Sequence, residues 1–148
     1  MALAERRAEV TWEGNLTQGK GTIESVGSGA LQTLPITWAS RVEKSDGRTS
    51  PEELIAAAHA SCYAMAFSNE LNKGGTPPAR LHVTAVCTLD RTDAGPTITA
   101  MALEVTGSVP GLDQAKFTEA AETAKKGCPV SRALQGNVQI TVNATLEG

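Results

Sequence analysis

The chain has no excess of positive charge. Its 13 Lys and Arg stand against 16 Asp and Glu, for a formal net charge of −3 at pH 7, and the basic residues are scattered. A nucleic-acid binder would present clustered Lys and Arg, so that class is set aside. Long hydrophobic runs are missing too. The most apolar stretch, near 54–67, is interrupted by His59 and Ser61 and is too short to span a bilayer, and "MALAERRAEV" has no apolar core of signal-peptide length. The expectation is a cytoplasmic protein that engages neither membrane nor nucleic acid. Cysteine is scarce: Cys62, Cys87 and Cys128 are the only three, and none forms a C-x-x-C pair. That argues against a secreted disulfide scaffold and against short-spacing zinc or thioredoxin-type sites. In a reducing compartment each of the three is a metal ligand, a catalyst or inert core.

What is present is ordinary for a soluble globular protein. With 148 residues, 41% hydrophobic, 20% charged, 14 Gly and 7 Pro, the chain has the length of a single domain, 1–148, and can bury a core without disulfides. No repeat, low-complexity segment or linker divides it.

Residues 8–13, "AEVTWE", alternate apolar and polar as a half-buried strand does, and "GTIESVGSG" and "LQTLPITW" follow after turns, so the chain opens on an antiparallel meander. "SRVEKSDGRTS" reads as a loop bearing Arg41 and Arg48. Ser50-Pro51-Glu52-Glu53 combines an S-x-x-E capping box with proline at the first helical position, and the helix it starts should run to about Lys73, before Gly74-Gly75. Its residues 54–67 are apolar almost all round, the pattern of a helix enclosed on every side. "LHVTAVCTLD" and "TITAMALEVTG" read as a hairpin across "RTDAGP". A second helix follows over "GLDQAKFTEAAETAKKGCP" with Asp113 as N-cap, then a short helix from Pro129 to about Leu134 and a closing strand in "NVQITVNATLE". In a chain this size one sheet covers one face of the long helix and the second helix part of the rest, so a partner subunit is expected to cover the remainder.

Cys128 lies between a helix-stopping Gly127 and a helix-starting Pro129, at the N-cap of the short helix. Unpaired N–H groups there would stabilise a thiolate, or Cys128 is a small residue capping a turn. Cys62 sits about ten residues into its helix, where the dipole has faded, so activation would have to come from a cationic neighbour or from His59 at i−3. By itself such a cysteine is more often buried packing. Cys87 alternates with Val83, Ala85 and Leu89 in a strand and reads as structural. His59, Cys62, His82 and Cys128 are zinc-ligand types but come from separated segments, and a Cys62/His59 dyad lacks a third group to orient the histidine.

The string "SPEELIAAAHASCYAMAFSNEL", with "AKKGCPVSRAL" some 55 residues later and "WASRVE" upstream, closely resembles the osmotically inducible protein C and organic hydroperoxide resistance (OsmC/Ohr) family, on its OsmC branch. The resemblance covers the whole chain. It implies an α+β fold, with antiparallel β-sheets wrapped around central helices in an intertwined homodimer. It also implies a thiol-dependent peroxidase acting on organic hydroperoxides, with Cys62 peroxidatic and Cys128 resolving, regenerated by an external dithiol of lipoyl type and requiring no metal or flavin. The family's arginine and glutamate map onto Arg41 and Glu52, Arg41 holding thiolate and peroxide oxygen and Glu52 fixing the guanidinium. Ten residues of continuous helix separate Glu52 from Cys62, about 15 Å, so the Arg41 and Glu52 serving Cys62 are expected from the other subunit. Arg48, a second loop arginine, could substitute for Arg41; "GRTSPEE" departs from the family's usual form before "PEE", and Arg132 stands where the family commonly has lysine. Leu54, Ile55, Tyr63, Met65 and Phe67 would supply an apolar pocket suited to a greasy hydroperoxide. The alternative reading is a non-enzymatic stress or apolar-ligand-binding protein on the same fold.

Overall fold

The computed structural model describes residues 1–147. They form two compact units, the first ending at Leu54 and the second beginning at Ile55.

In the first unit, β1 (Ala8–Glu13), β2 (Lys20–Val26) and β3 (Gln32–Ile36) make the expected antiparallel meander, in the order β1-β2-β3, but β1, read from its alternation as half-buried, is exposed along its whole length in the single chain. Gly21 faces Trp12 on one side and Ile36 on the other. A Cβ at Gly21 would lie 2.6 Å from the Trp12 ring and 2.9 Å from the Ile36 side chain, so only glycine lets the two close over β2. The chain then forms a short helix, α1 (Trp38–Val42), where the sequence suggests the end of a strand and a loop. Thr37 is its N-cap: Thr37 Oγ1 accepts from the Ser40 N–H and Ser40 Oγ accepts from the Thr37 N–H, both at 3.0 Å. This is a capping box with serine in place of the usual Glu or Gln, which is why the pattern is easy to miss. Arg41 therefore sits on a helical turn, not a loop.

The long helix α2 (Pro51–Lys73) is unbroken over the expected range. Its start follows the sequence signal in half: Ser50 Oγ accepts from the Glu53 N–H at 3.1 Å, while the Glu53 carboxylate accepts from the Thr49 hydroxyl at 3.3 Å instead of reaching back to Ser50.

In the second unit, β4 (Arg80–Thr92) and β5 (Gly95–Ser108) form a long hairpin, extended further into "RTDAGP" than the alternation suggests. After β5 come α3 (Gln114–Gly127), α4 (Pro129–Leu134) and β6 (Gln139–Leu146). The pairing of β6 with β5 is parallel, in sheets otherwise antiparallel, because α3 and α4 form the crossover that such a pairing needs. Asp113 caps α3 as expected, its carboxylate accepting from the Lys116 N–H at 2.8 Å.

Tyr63, Phe67 and Leu71, spaced four apart on α2, join Phe117, Ala121 and Ala124 of α3 and Leu103 and Val105 of β5 in one core. The Phe67 and Phe117 rings lie 4.9 Å apart. Gly107 on β5 makes room for the Phe117 ring: a Cβ there would lie 2.6 Å from Phe117 Cζ. The other side of α2 is open. Ala58, Ser61, Met65 and Asn69 are exposed, Met65 at 68%, so a helix read as enclosed on every side is enclosed on one within the single chain.

Candidate active site

Two groups of residues contain the four site positions read from the sequence. In the second unit, α2 carries Cys62 and the corner between α3 and α4 carries Cys128. Gly127 ends α3, Pro129 opens α4, and Cys128 between them has extended backbone (φ −64, ψ 122) and a fully buried side chain. Both cysteines are thiols, and the Cys62 S–H is hydrogen-bonded to the Cys128 sulfur. The backbone N–H of Val130, in the first turn of α4, also donates to Cys62. The short helix's unpaired N–H was expected to serve Cys128. Cys128 is indeed the N-cap, but its side chain makes no cap hydrogen bond, and the amide is directed to Cys62 instead.

Burial pushes the Cys62 thiol above its ordinary value, the Val130 N–H pulls the other way, and the neighbouring Cys128 adds to the rise. On its solvent side Cys62 opens into a cleft of about 380 Å³ lined also by Met65, Ala66, Asn69, Gly127 and Pro129.

His59 does not reach Cys62 in any described hydrogen bond. Its Nε2 lies 2.7 Å from Ser131 Oγ, both residues are buried, and its Nδ1 has no hydrogen-bond partner. Burial lowers its basicity. Next to Cys62, Tyr63 donates its hydroxyl to the Ala121 carbonyl at 2.9 Å. Thus α2 is tied by polar side chains to α4 and to α3 on either side of Cys62. Cys87 lies in β4 opposite Met101, and His82 in the same strand opposite Thr106. Among the described residues no group of His, Cys, Asp and Glu is arranged to hold a metal ion.

In the first unit, α1 and the first turn of α2 bring Arg41 to Glu52. Arg41 Nη2 donates to Glu52 Oε1 at 2.6 Å and Arg41 Nε donates to Oε1 and Oε2 at 3.0 and 3.1 Å. Glu52 is buried and the guanidinium carbon lies 5.8 Å from the centre of the Trp38 ring. Arg41 also borders an apolar cavity of about 360 Å³ walled by Trp12, Leu16, Ile36, Trp38 and Pro51. Glu52 pairs with Arg41 and not Arg48; Arg48 and Arg132 are exposed.

Two groups escape sequence reading: the Val130 amide and Ser131. Backbone donors leave no residue-type signature. Ser131 has one in hindsight, since it follows Cys128 by the same three-residue step with which His59 precedes Cys62.

The family model described as "OsmC-like protein" matches residues 44–143. Peroxiredoxin OsmC of Escherichia coli (strain K12) is 42% identical over 135 residues, 91% of this chain and 93% of that protein. An organic hydroperoxide resistance protein-like protein of Staphylococcus aureus is 28% identical over 105 residues, 70% of this chain and 74% of its own. Among solved structures, an organic hydroperoxide resistance protein OsmC from Legionella pneumophila superposes with a TM-score of 0.73 at 23% identity, covering 98% of this chain and 99% of that one. OhrB of Bacillus subtilis gives 0.70 at 22% identity, covering 94% and 98%. The fold is therefore that of the OsmC/Ohr proteins, and this chain belongs to the OsmC-like protein family.

Proposed function

We propose that the protein is a thiol-dependent peroxidase that reduces organic hydroperoxides to alcohols in stress defence. The observation that carries the reading is the meeting of Cys62 and Cys128, with the Val130 N–H on the same Cys62 sulfur. The names of the similar proteins, a peroxiredoxin and organic hydroperoxide resistance proteins, agree with it.

In the first step the Cys62 thiolate attacks the distal oxygen of the hydroperoxide, the O–O bond breaks, Cys62 becomes a sulfenic acid and the alkoxide leaves as alcohol after taking a proton. In the second the Cys128 sulfur attacks the Cys62 sulfur, the S–O bond breaks and water leaves, giving a disulfide. An external dithiol, of lipoyl type, returns both to thiols and is itself oxidised to a disulfide.

Within the single chain the Val130 N–H opposes a rise in the Cys62 pKa driven by burial and by Cys128. A guanidinium beside the sulfur would reverse that balance. We assign that role to Arg41 of the partner subunit, held by Glu52 of the partner subunit, in a homodimer whose sites lie at the interface. The exposed apolar positions on α2 are what such an interface would bury, and the family match runs across the boundary between the units, supporting one OsmC-like domain over 1–148. No helix among the described residues is long and apolar enough to cross a membrane; we place the protein in the cytoplasm.

Peptide mapping after one equivalent of cumene hydroperoxide tests the reading. A Cys62–Cys128 disulfide with Cys87 still a thiol is the expected result. Cys62 remaining reduced, or Cys62→Ser turning over peroxide like wild type, overturns it.

A further inference from the structure

His59 and Ser131 mirror the two cysteines. His59 precedes Cys62 by three residues on α2, and Ser131 follows Cys128 by three residues on α4, so each stands about one helical turn from its thiol. The two helices are thereby joined by two rungs, Cys62 to Cys128 and His59 Nε2 to Ser131 Oγ, the latter at 2.7 Å. His59 is 0% exposed and Ser131 3%, so the bond is shielded from bulk solvent.

The pair is costly to keep as mere filling. His59 Nδ1 is buried without a partner, and an apolar residue of similar shape would avoid that desolvation. An orphaned lone pair is tolerated better than an orphaned N–H, which favours the tautomer in which Nε2–H donates to Ser131 Oγ. Burial lowers the basicity of the ring, which disfavours the imidazolium form.

Disulfide closure demands what this bond can supply. The Cys62 and Cys128 sulfurs must approach to about 2 Å with a defined torsion, yet Cys128 sits on a corner ahead of a helix of only 6 residues. A small rotation of α4 about its own axis would carry Cys128 away from Cys62. We propose that His59 and Ser131 are a positioning pair for the second chemical step: their hydrogen bond sets the rotation of α4 against α2 and keeps Cys128 in line with the Cys62 sulfenic acid. The proposal rests on the reading of Cys62 and Cys128 as the reacting pair.

Rapid-quench intact-mass analysis after one equivalent of cumene hydroperoxide, with dimedone trapping, separates the two steps. In Ser131→Ala, a one-atom deletion, and in His59→Leu, oxidation of Cys62 should stay within about twofold of wild type. Loss of water to the disulfide should slow at least about tenfold, the scale on which small misplacements act, and the dimedone adduct should accumulate. His59→Gln, whose side-chain nitrogen can approach the position of Nε2, should restore closure to within about threefold, and His59→Asn, whose amide is too short, should not. Closure at the wild-type rate in both Ser131→Ala and His59→Leu overturns the proposal. So does equal slowing of both steps, or a His59→Gln variant as slow as His59→Leu. Failure of the wild type itself to form the Cys62–Cys128 disulfide instead removes the reading beneath it, and this role with it.

Discussion

Arg41 holds Glu52 by two nitrogens at once, Nη2 and Nε both donating to the carboxylate, on the face of Trp38. A lysine could satisfy the charge but not the fork. Arg41→Lys and Glu52→Gln should each lower kcat/KM for cumene hydroperoxide about tenfold or more, and Arg41→Met about a hundredfold. The exposed Arg48 should tolerate Arg48→Ala within about twofold. Because the assignment places Arg41 and Cys62 of one site on different chains, mixing inactive Arg41→Met and Cys62→Ser proteins under exchange should recover about a quarter of wild-type activity, the share expected from random pairing. No recovery, with exchange shown by mass, would place the arginine on the same chain.

Exposure of Met65 and Ala58 on α2 leads to a second expectation. A carboxylate placed there costs little in a lone chain but would be desolvated in an interface. Ala58→Glu should shift sedimentation from a two-chain species toward one chain and lower peroxidase activity in parallel. A fully dimeric, fully active variant would contradict the interface.

Tyr63 is the only tyrosine, so tyrosinate absorbance near 295 nm reads it alone. Burial chiefly, then the charges of Glu122 and Cys128, raises its pKa, and its hydroxyl donates to the Ala121 carbonyl. The folded state therefore keeps this proton at a pH where the unfolded state releases it. The stabilisation is complete below the ordinary phenol pKa of about 10 and falls above it, by up to about 1.4 kcal/mol per pH unit. Tyr63→Phe should lose about 1 kcal/mol at neutral pH and show a flatter decline above pH 10 in denaturant titrations.

Gly107 lies beneath Phe117, and a Cβ there would meet the ring and the Leu81 side chain together. Gly107→Ala should destabilise the fold by about 1–3 kcal/mol, read as a lower urea midpoint with unchanged slope.

The strands and long helices of this chain could be read because each is written in local terms: alternation in 8–13, Ser50-Pro51 before α2, Asp113 before α3. Helix α1 could not, because its box uses Ser40 where a glutamate is the familiar sign. The same divide runs through the site. Cys62 and Cys128 were identifiable by type and by family motif, and Cys128's place at a cap by its Gly and Pro neighbours. What the α4 amide does was hidden, since whether an N–H serves its own cap residue or a sulfur on another helix depends on packing, not on residue type. His59's role was equally undetermined, its partner lying 72 residues away.

Joining Cys62 to Cys128 closes a loop of roughly 67 residues within the second unit. The loss of unfolded-state entropy corresponds to about 4 kcal/mol, so peroxide-treated protein should melt about 10 °C above the dithiothreitol-reduced form. A lower melting temperature on oxidation would mean that closure strains the α3–α4 corner.

The parallel pairing of β6 with β5 has a further consequence during synthesis. Cys62 is translated 66 residues before Cys128, and the α3–α4 crossover that carries Cys128 leads into β6, Gln139–Leu146, which pairs along β5. On the chemistry proposed above, a nascent chain that has made only the first thiol has no resolver, and peroxide that reaches it would carry the sulfur past the sulfenic state. Reversible oxidation would then belong to the finished chain, and a newborn population exposed to peroxide should be marked by sulfinic acid at Cys62 rather than by disulfide.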